Sequence, residues 1–191
     1  MKLKELKITN FKSFGPATQV IDFDTAYGSL NLLSGANGAG KSTIASAIIF
    51  GLYGKNVDGN VSELCNWDNP KSMAVEISFY VKNRFIQIVR GSSEFTLYED
   101  GLEYDQAGKS NLQEYLERTY FDMPFYVFRN LIILSVNDFR SFLTMTPKDK
   151  RMIRDKIFGF SILNEMRKIN QQTYSLLESE QSSFHSKISQ L

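Results

Sequence analysis

The chain predicts an α/β fold: a glycine-rich loop between an apolar strand and a helix, an antiparallel β meander, a helical segment and a long polar helix. Three observations carry this. Residues 35–42 read Gly-Ala-Asn-Gly-Ala-Gly-Lys-Ser, after an apolar run at 29–34 and before an Ala/Ile-rich run from Lys41. Residues 73–99 alternate apolar and polar side chains, with a tight-turn pair, Asp100-Gly101, after them. From Ser161 onward, apolar residues recur mostly at sums of threes and fours on an otherwise polar background.

The elements follow in order. Residues 2–9 alternate, with Leu3, Leu6 and Ile8 as apolar points, and predict a strand; 18–23 predict its antiparallel partner across an Asn10–Pro16 loop. Residues 29–34 read as a buried strand entering the glycine-rich turn. A helix runs from Lys41 to about Tyr53, closed by Gly54. In 73–81, Val75, Ile77, Phe79 and Val81 share one face, while Glu76, Ser78 and Tyr80 take the other. Strands at 85–90 and Phe95–Glu99 complete a meander rather than a second βαβ unit. Helices are predicted at 110–119 and 124–132, and a third opens with Thr146 as N-cap and Pro147 in its first turn. Gly159 interrupts it. The last helix carries Ile162, Met166, Ile169, Leu176, Phe184, Ile188 and Leu191, a seam that Thr173 and Glu180 weaken.

Composition bounds the function. Lys and Arg number 22 against 21 Asp and Glu, a net charge of +1, so any nucleic-acid contact must be a local patch or come from partner chains. Cys65 is the only cysteine, which excludes an intrachain disulfide and a multi-cysteine metal site. No apolar run approaches the ~20 residues that span a bilayer. The expectation is no membrane and a reducing, cytoplasmic compartment.

The loop matches G-x-x-x-x-G-K-[ST] at every fixed position, with a strand before it and a helix after it. Glycines let backbone N–H groups converge on one concavity, and the helix N-terminus adds its dipole, so anionic phosphates bind there. The bland alternative is a glycine-rich helix-capping turn. Within the motif, Gly35, Ala36, Asn37, Gly38, Ala39 and Gly40 form the cradle. Lys41 serves the β- and γ-phosphates, Ser42 offers its hydroxyl to Mg²⁺, and Thr43 lies where the α-phosphate sits. ATP and Mg²⁺ are the expected ligands. Small nucleoside kinases also fit this length, but they usually open with such a loop on their first strand.

Gly-Ala-Asn-Gly-Ala-Gly-Lys-Ser-Thr resembles the ABC/SMC ATPases. Upstream, Asn10-Phe11-Lys12-Ser13-Phe14 is similar to the N-F-[KR]-S segment that opens SbcC, the Rad-type break-repair ATPases, RecF and SMC proteins. Residues 44–54, ending Gly51-Leu52-Tyr53-Gly54, resemble the matching helix of SbcC-type and phage recombination-nuclease ATPases, and 128–158 resemble their segment from the Q-loop into the coiled coil. The resemblance implies the N-terminal lobe of an ABC/SMC-type P-loop ATPase head over 1–160, with a helical subdomain, and an ascending coiled-coil helix over 161–191. It also implies a phosphate contact from Lys12 with Ser13 beside it, a C-terminal half of the same head, a second head in a dimer, an Mre-type metal-dependent nuclease subunit, and DNA. An SMC-type DNA tether without a nuclease is the rival; the polar last helix argues against a transporter ATPase.

Some positions depart from that pattern. No glutamine lies in 122–170, where the family's Q-loop glutamine falls. Ser135, Val136 or Asn137 stands there; Asn137 is a shorter amide substitute, or a turn residue with Asp138. No acid ends an apolar strand: Ser135 occupies that position in 131–138, and Glu76 and Asp100 are expected to face solvent. Lys148, Lys150, Arg151 and Arg154 cluster on one helix, either as a solvated face interleaved with Asp149 and Asp155 or as a contact to DNA backbone. Trp67 is read as a core anchor or as a residue packing near adenine, Cys65 as a small buried residue, and His185 as solvated.

Overall fold

The computed structural model describes residues 1–24, 30–57, 59–69, 72–104, 109–121, 123–132, 145–158 and 160–188. Two compact units divide at 133/134. The first holds one six-stranded antiparallel sheet: β1 (Lys2–Thr9), β2 (Gln19–Asp22), β3 (Ala74–Val81), β4 (Arg84–Gly91), β5 (Phe95–Glu99) and β6 (Leu102–Glu103), in the order β2-β1-β3-β4-β5-β6. Register follows the alternation: Ile77 lies opposite Leu6 on one side and Ile88 on the other. That face is the core, with Leu6, Ile8, Val75, Ile77, Phe79, Ile86, Ile88 and Leu97 all fully buried. On the opposite face Glu76 accepts from Lys7 (2.7 Å) and Gln87 (2.9 Å), so it belongs to a cross-strand network. Asp100 accepts the Phe85 N–H at the hairpin (2.8 Å).

Helix α1 (Lys41–Tyr53) covers the core face. Gly51 makes the close approach possible: a Cβ there would meet Ile77 Cγ2 at 3.0 Å. Tyr53 is buried among Phe121, Phe125 and Phe128 (ring centroids 5.2, 5.6 and 5.0 Å) and donates its hydroxyl to the Met123 carbonyl (3.0 Å). Gly54 closes the helix in the left-handed conformation (φ 64°), its N–H returning to the Phe50 carbonyl.

The alternation of β4 also turns Arg90 inward, in line with Ile86 and Ile88. Its Nε donates to the Gly51 carbonyl (3.2 Å) and Nη2 to Gln113 Oε1 (2.6 Å), and the guanidinium lies 3.7 Å from the Phe95 ring centroid. Burial lowers its pKa to about 10, against the opposing pull of Glu117, so it stays charged at neutral pH. A buried cation thereby ties the end of α1 to β4, β5 and α2 (Lys109–Leu116). The helix expected over 110–119 is α2 followed by a π-helical turn, Glu117–Phe121; α3 is Phe125–Leu131.

One expected strand does not form. Residues 30–34 join no ladder among the described residues, and Leu30 and Leu32 are 89% and 91% exposed. A strand exists only by pairing, and no described strand runs beside this run. Trp67 is 94% exposed, which overturns the core-anchor reading. Cys65 is half-buried, its Sγ 3.9 Å from Met73 Sδ.

The second unit contains α4 (Pro147–Ile157) and α5 (Ser161–Ile188). Pro147 does open α4, and the Lys150 N–H reaches the Thr146 carbonyl (3.0 Å). Every described side chain of α5 is exposed, including Ile162, Met166, Ile169, Leu176 and His185. Thr173, Ser175, Ser179 and Ser182 return their hydroxyls to carbonyls of the same helix.

Gly54→Ala is expected to lower stability by about 1–3 kcal/mol, because a Cβ is strained at this φ and would run into the Arg90 guanidinium. Urea denaturation checks it: the midpoint should fall with an unchanged slope.

Candidate functional site

The site is built from the N-terminus of α1 outward. Gly40 caps the helix in a left-handed conformation (φ 88°), Gly38 has φ 84°, and no side chain caps the helix. The Ile44 N–H bonds to Gly40 O, while the first-turn N–H groups before it meet no capping side chain. Those groups point out of the helix with its dipole behind them, the arrangement that takes an anion. Lys41 Nζ donates to the carbonyls of Gly35 and Ala36, 2.7 Å each, and draws the loop around its own ammonium. Ala39 N–H closes the turn on Ala36 O (3.2 Å), and residues 35–39 stand open to solvent.

The upstream pentapeptide comes to the same place. β1 ends at Thr9, and Asn10–Phe14 folds against the first turns of α1. Lys12 Nζ donates to Ser46 Oγ (3.1 Å), and Ser13 Oγ lies 3.4 Å from Thr43 Oγ1. A Cβ on Gly40 would sit 2.9 Å from the Phe14 ring, so a glycine is required there both by backbone and by space. Phe11 anchors the segment: it is fully buried, 5.8 Å from the Phe50 ring centroid, and bridges to Cys65. Two stretches of sequence separated by β2 therefore converge on one helix end.

The donors fit a polyphosphate. Two lysines and an uncapped helix end supply positive charge, and Ser42 presents an exposed hydroxyl. Mg²⁺ bound to nucleotide takes most of its ligands from phosphate and water, so a single hydroxyl is chemically sufficient. No group of three His, Cys, Asp or Glu suited to a metal occurs among the described residues.

Other expected residues lie apart. Ser135, Val136, Asn137 and Asp138 fall outside the described residues. In the second unit Lys148 and Arg151 are exposed and line a cavity of about 410 Å³ with Pro147, Met152 and Asp155. Arg154 is held by Asp155 through Nε (3.1 Å) and Nη2 (2.8 Å), so its charge is partly committed. Sequence reasoning missed Ser46, which receives Lys12 and lies one turn after Ser42. It also missed Asn66, whose amide touches the Lys12 carbonyl (2.9 Å). The spacing of Ser42 and Ser46 was available as a signal; nothing local marks Asn66.

The sequence profile described as the AAA domain matches residues 5–191. The chain belongs to this family. Among its relatives are exonuclease subunit 2 of Escherichia phage RB69 (30% identical, covering 94% of this chain and 32% of the relative) and exonuclease subunit 2 of Enterobacteria phage T4 (27%, 88% and 30%). A third is the DNA double-strand break repair Rad50 ATPase of Archaeoglobus fulgidus (32%, 80% and 16%). This AAA domain thus spans a third or less of each of these. Its fold is that of a solved chain from work on ATP-driven dimerization and DNA-stimulated activation of SMC ATPases (TM-score 0.57, 23% identity, covering 82% of this chain and 99% of that one). The α/β architecture with its antiparallel meander is thus the fold seen in that chain.

Lys41→Ala is expected to weaken ATP binding at least about 100-fold, since a charge-assisted contact to two phosphates is lost. The melting temperature should stay put, because among the described residues Lys41 Nζ bonds to carbonyls of its own loop. Calorimetric titration of both proteins decides it. Lys12→Ala should weaken ATP more than AMP; equal losses would deny Lys12 a distal-phosphate role.

Proposed function

We propose that the chain is the ATP-binding half of a DNA repair or recombination ATPase head that controls a partner nuclease acting on DNA ends. The observation that carries this is the convergence of Lys12 and Ser13 with Lys41, Ser42 and Thr43 around the uncapped end of α1. In this reading Lys41 and Lys12 neutralise the distal phosphates, Ser42 ligates Mg²⁺, and Thr43 receives the α-phosphate. Bound Mg²⁺ supplies further charge stabilisation when the nucleotide is present.

Hydrolysis needs an oriented water and a second set of contacts. Glu76 and Asp100 are engaged in the sheet, as described above, so neither is available as base. The missing groups are assigned to a C-terminal half of the head and to a second head. Two exposed apolar runs support this. Leu30, Leu32 and Leu33 lead directly into the loop and pair with no strand among the described residues, and a complementary lobe would give that run its ladder. Likewise Ile162, Met166, Ile169 and Leu176, each more than 60% exposed, suit a coiled-coil partner, with 1–160 as lobe and 161–191 as ascending helix. A nuclease subunit, of the Mre type that the family resemblance implies, and DNA complete the assembly in this reading. Lys148, Lys150 and Arg151 are the proposed contacts to DNA backbone, with Arg154 weakened by Asp155.

The chain alone is expected to bind Mg²⁺-ATP without turning it over, and addition of the C-terminal half should restore hydrolysis in a phosphate-release assay. Full-rate hydrolysis by the chain alone would favour a self-contained phosphate-loop enzyme such as a kinase. Charge reversal at Lys148 and Arg151 should reduce the log–log salt slope of duplex DNA binding in the assembled head by about 0.9 per lost phosphate contact. An unchanged slope would leave this helix as a solvated face.

A further inference from the structure

Two non-glycine residues at the end of β1 have left-handed backbone, Asn10 (φ 50°) and Lys12 (φ 48°). Lysine rarely adopts that conformation, because its Cβ crowds the backbone. Such a residue persists only where its surroundings over-determine it. Here Asn66 supplies much of that constraint. Its N–H donates to the Asn10 carbonyl (3.0 Å), and its Nδ2 donates to the Lys12 carbonyl (2.9 Å). Its Oδ1 accepts from the Asp68 N–H (3.0 Å), which sets the orientation of the amide. The side chain is buried, and the adjoining Lys12 N–H is held by the Leu64 carbonyl (2.7 Å).

The consequence lies at the far end of Lys12. With the peptide fixed in this conformation and Phe11 locked in the core, the side chain is directed to α1, where Nζ meets Ser46 Oγ. Ser46 Oγ in turn donates to the Ser42 carbonyl (3.1 Å), so the ammonium stands beside the turn that begins the phosphate loop's helix. Remove the Nδ2 donor and the Lys12 carbonyl loses its partner. The peptide then relaxes toward negative φ and swings the Cα–Cβ bond away from α1.

We propose that Asn66 is a positioning residue for Lys12: its amide holds the left-handed peptide that delivers the Lys12 ammonium to the nucleotide's distal phosphates. The proposal rests on the reading of Lys12 as a phosphate contact, and the two are separable by experiment.

The test is a double-mutant cycle on this chain, read by calorimetric titration with Mg²⁺-ATP and with AMP. Asn66→Asp keeps the volume and the acceptor for Asp68 but loses the donor; Asn66→Ala is the second variant should the carboxylate harm folding. Either is expected to weaken ATP about tenfold, the cost of one lost hydrogen bond to a part-buried carbonyl, and AMP by less than about twofold. In a Lys12→Ala background the same substitution should change ATP affinity by less than about twofold, because the residue it positions is gone. Equal losses for ATP and AMP, losses that multiply across the two sites, or failure of both variants to fold would overturn the proposal and leave Asn66 as a support of the fold. Lys12→Ala with undiminished ATP affinity would instead overturn the phosphate role of Lys12.

Discussion

The contact between Gly51 and Ile77 governs the site, although it lies at the opposite end of α1 from the loop. A helix can present an open N-terminus usefully only if its direction is fixed. Here α1 is pressed to the sheet where Gly51 has no side chain, the Gly51 carbonyl is met by Arg90 and the Leu52 carbonyl by Gln113, and Tyr53 is enclosed by three phenylalanine rings. The buried guanidinium is costly to desolvate, which its lowered pKa reflects. What it provides is a set of directional bonds joining α1 to β4 and α2. The Gly-Leu-Tyr-Gly run at the end of α1 is thus a packing device: contact, core, anchor and cap in successive residues.

At the other end the design is the reverse. Residues 35–39 stand open to solvent, as a loop must that takes its partners from a ligand. Rigidity comes instead from its neighbour. Asn10 and Lys12 occupy left-handed backbone, Phe11 is sunk in the core between them, and Asn66 and Leu64 hold the intervening peptides. Strain in that segment and openness in the loop are complementary: in the proposed function one positions charge and the other leaves room for a ligand.

The exposed leucines at 30, 32 and 33 and the exposed described side chains of α5 share a physical character. Both hold apolar residues that stand exposed to solvent. Burial of a leucine contributes about 1.5–3 kcal/mol, so each run is a binding opportunity for another segment. Among the described residues no helix is long and apolar enough to cross a membrane, so these runs do not form a membrane-spanning helix.

Much of this was written locally. The phosphate loop depends on glycine conformations and helix polarity, which are properties of short segments, so residues 35–43 were legible without any fold. The meander was legible because Val75, Ile77, Phe79 and Val81 alternate strictly, and α4 because Pro147 can open a helix and cannot continue one. The run at 29–34 was misread because apolar composition reports a wish to be buried, whereas a strand also requires a partner. Trp67 was misread for a related reason: its size favours burial, and only packing decides whether burial happens. Ser46, Asn66 and Arg90 owe their roles to pairings across 34, 54 and 39 positions of chain, with Lys12, Lys12 and Gly51. Sequence alone determined the phosphate-loop motif and the candidate groups within it; the tertiary structure decided what holds them in place, because a hydrogen bond between distant residues exists only after the chain has folded.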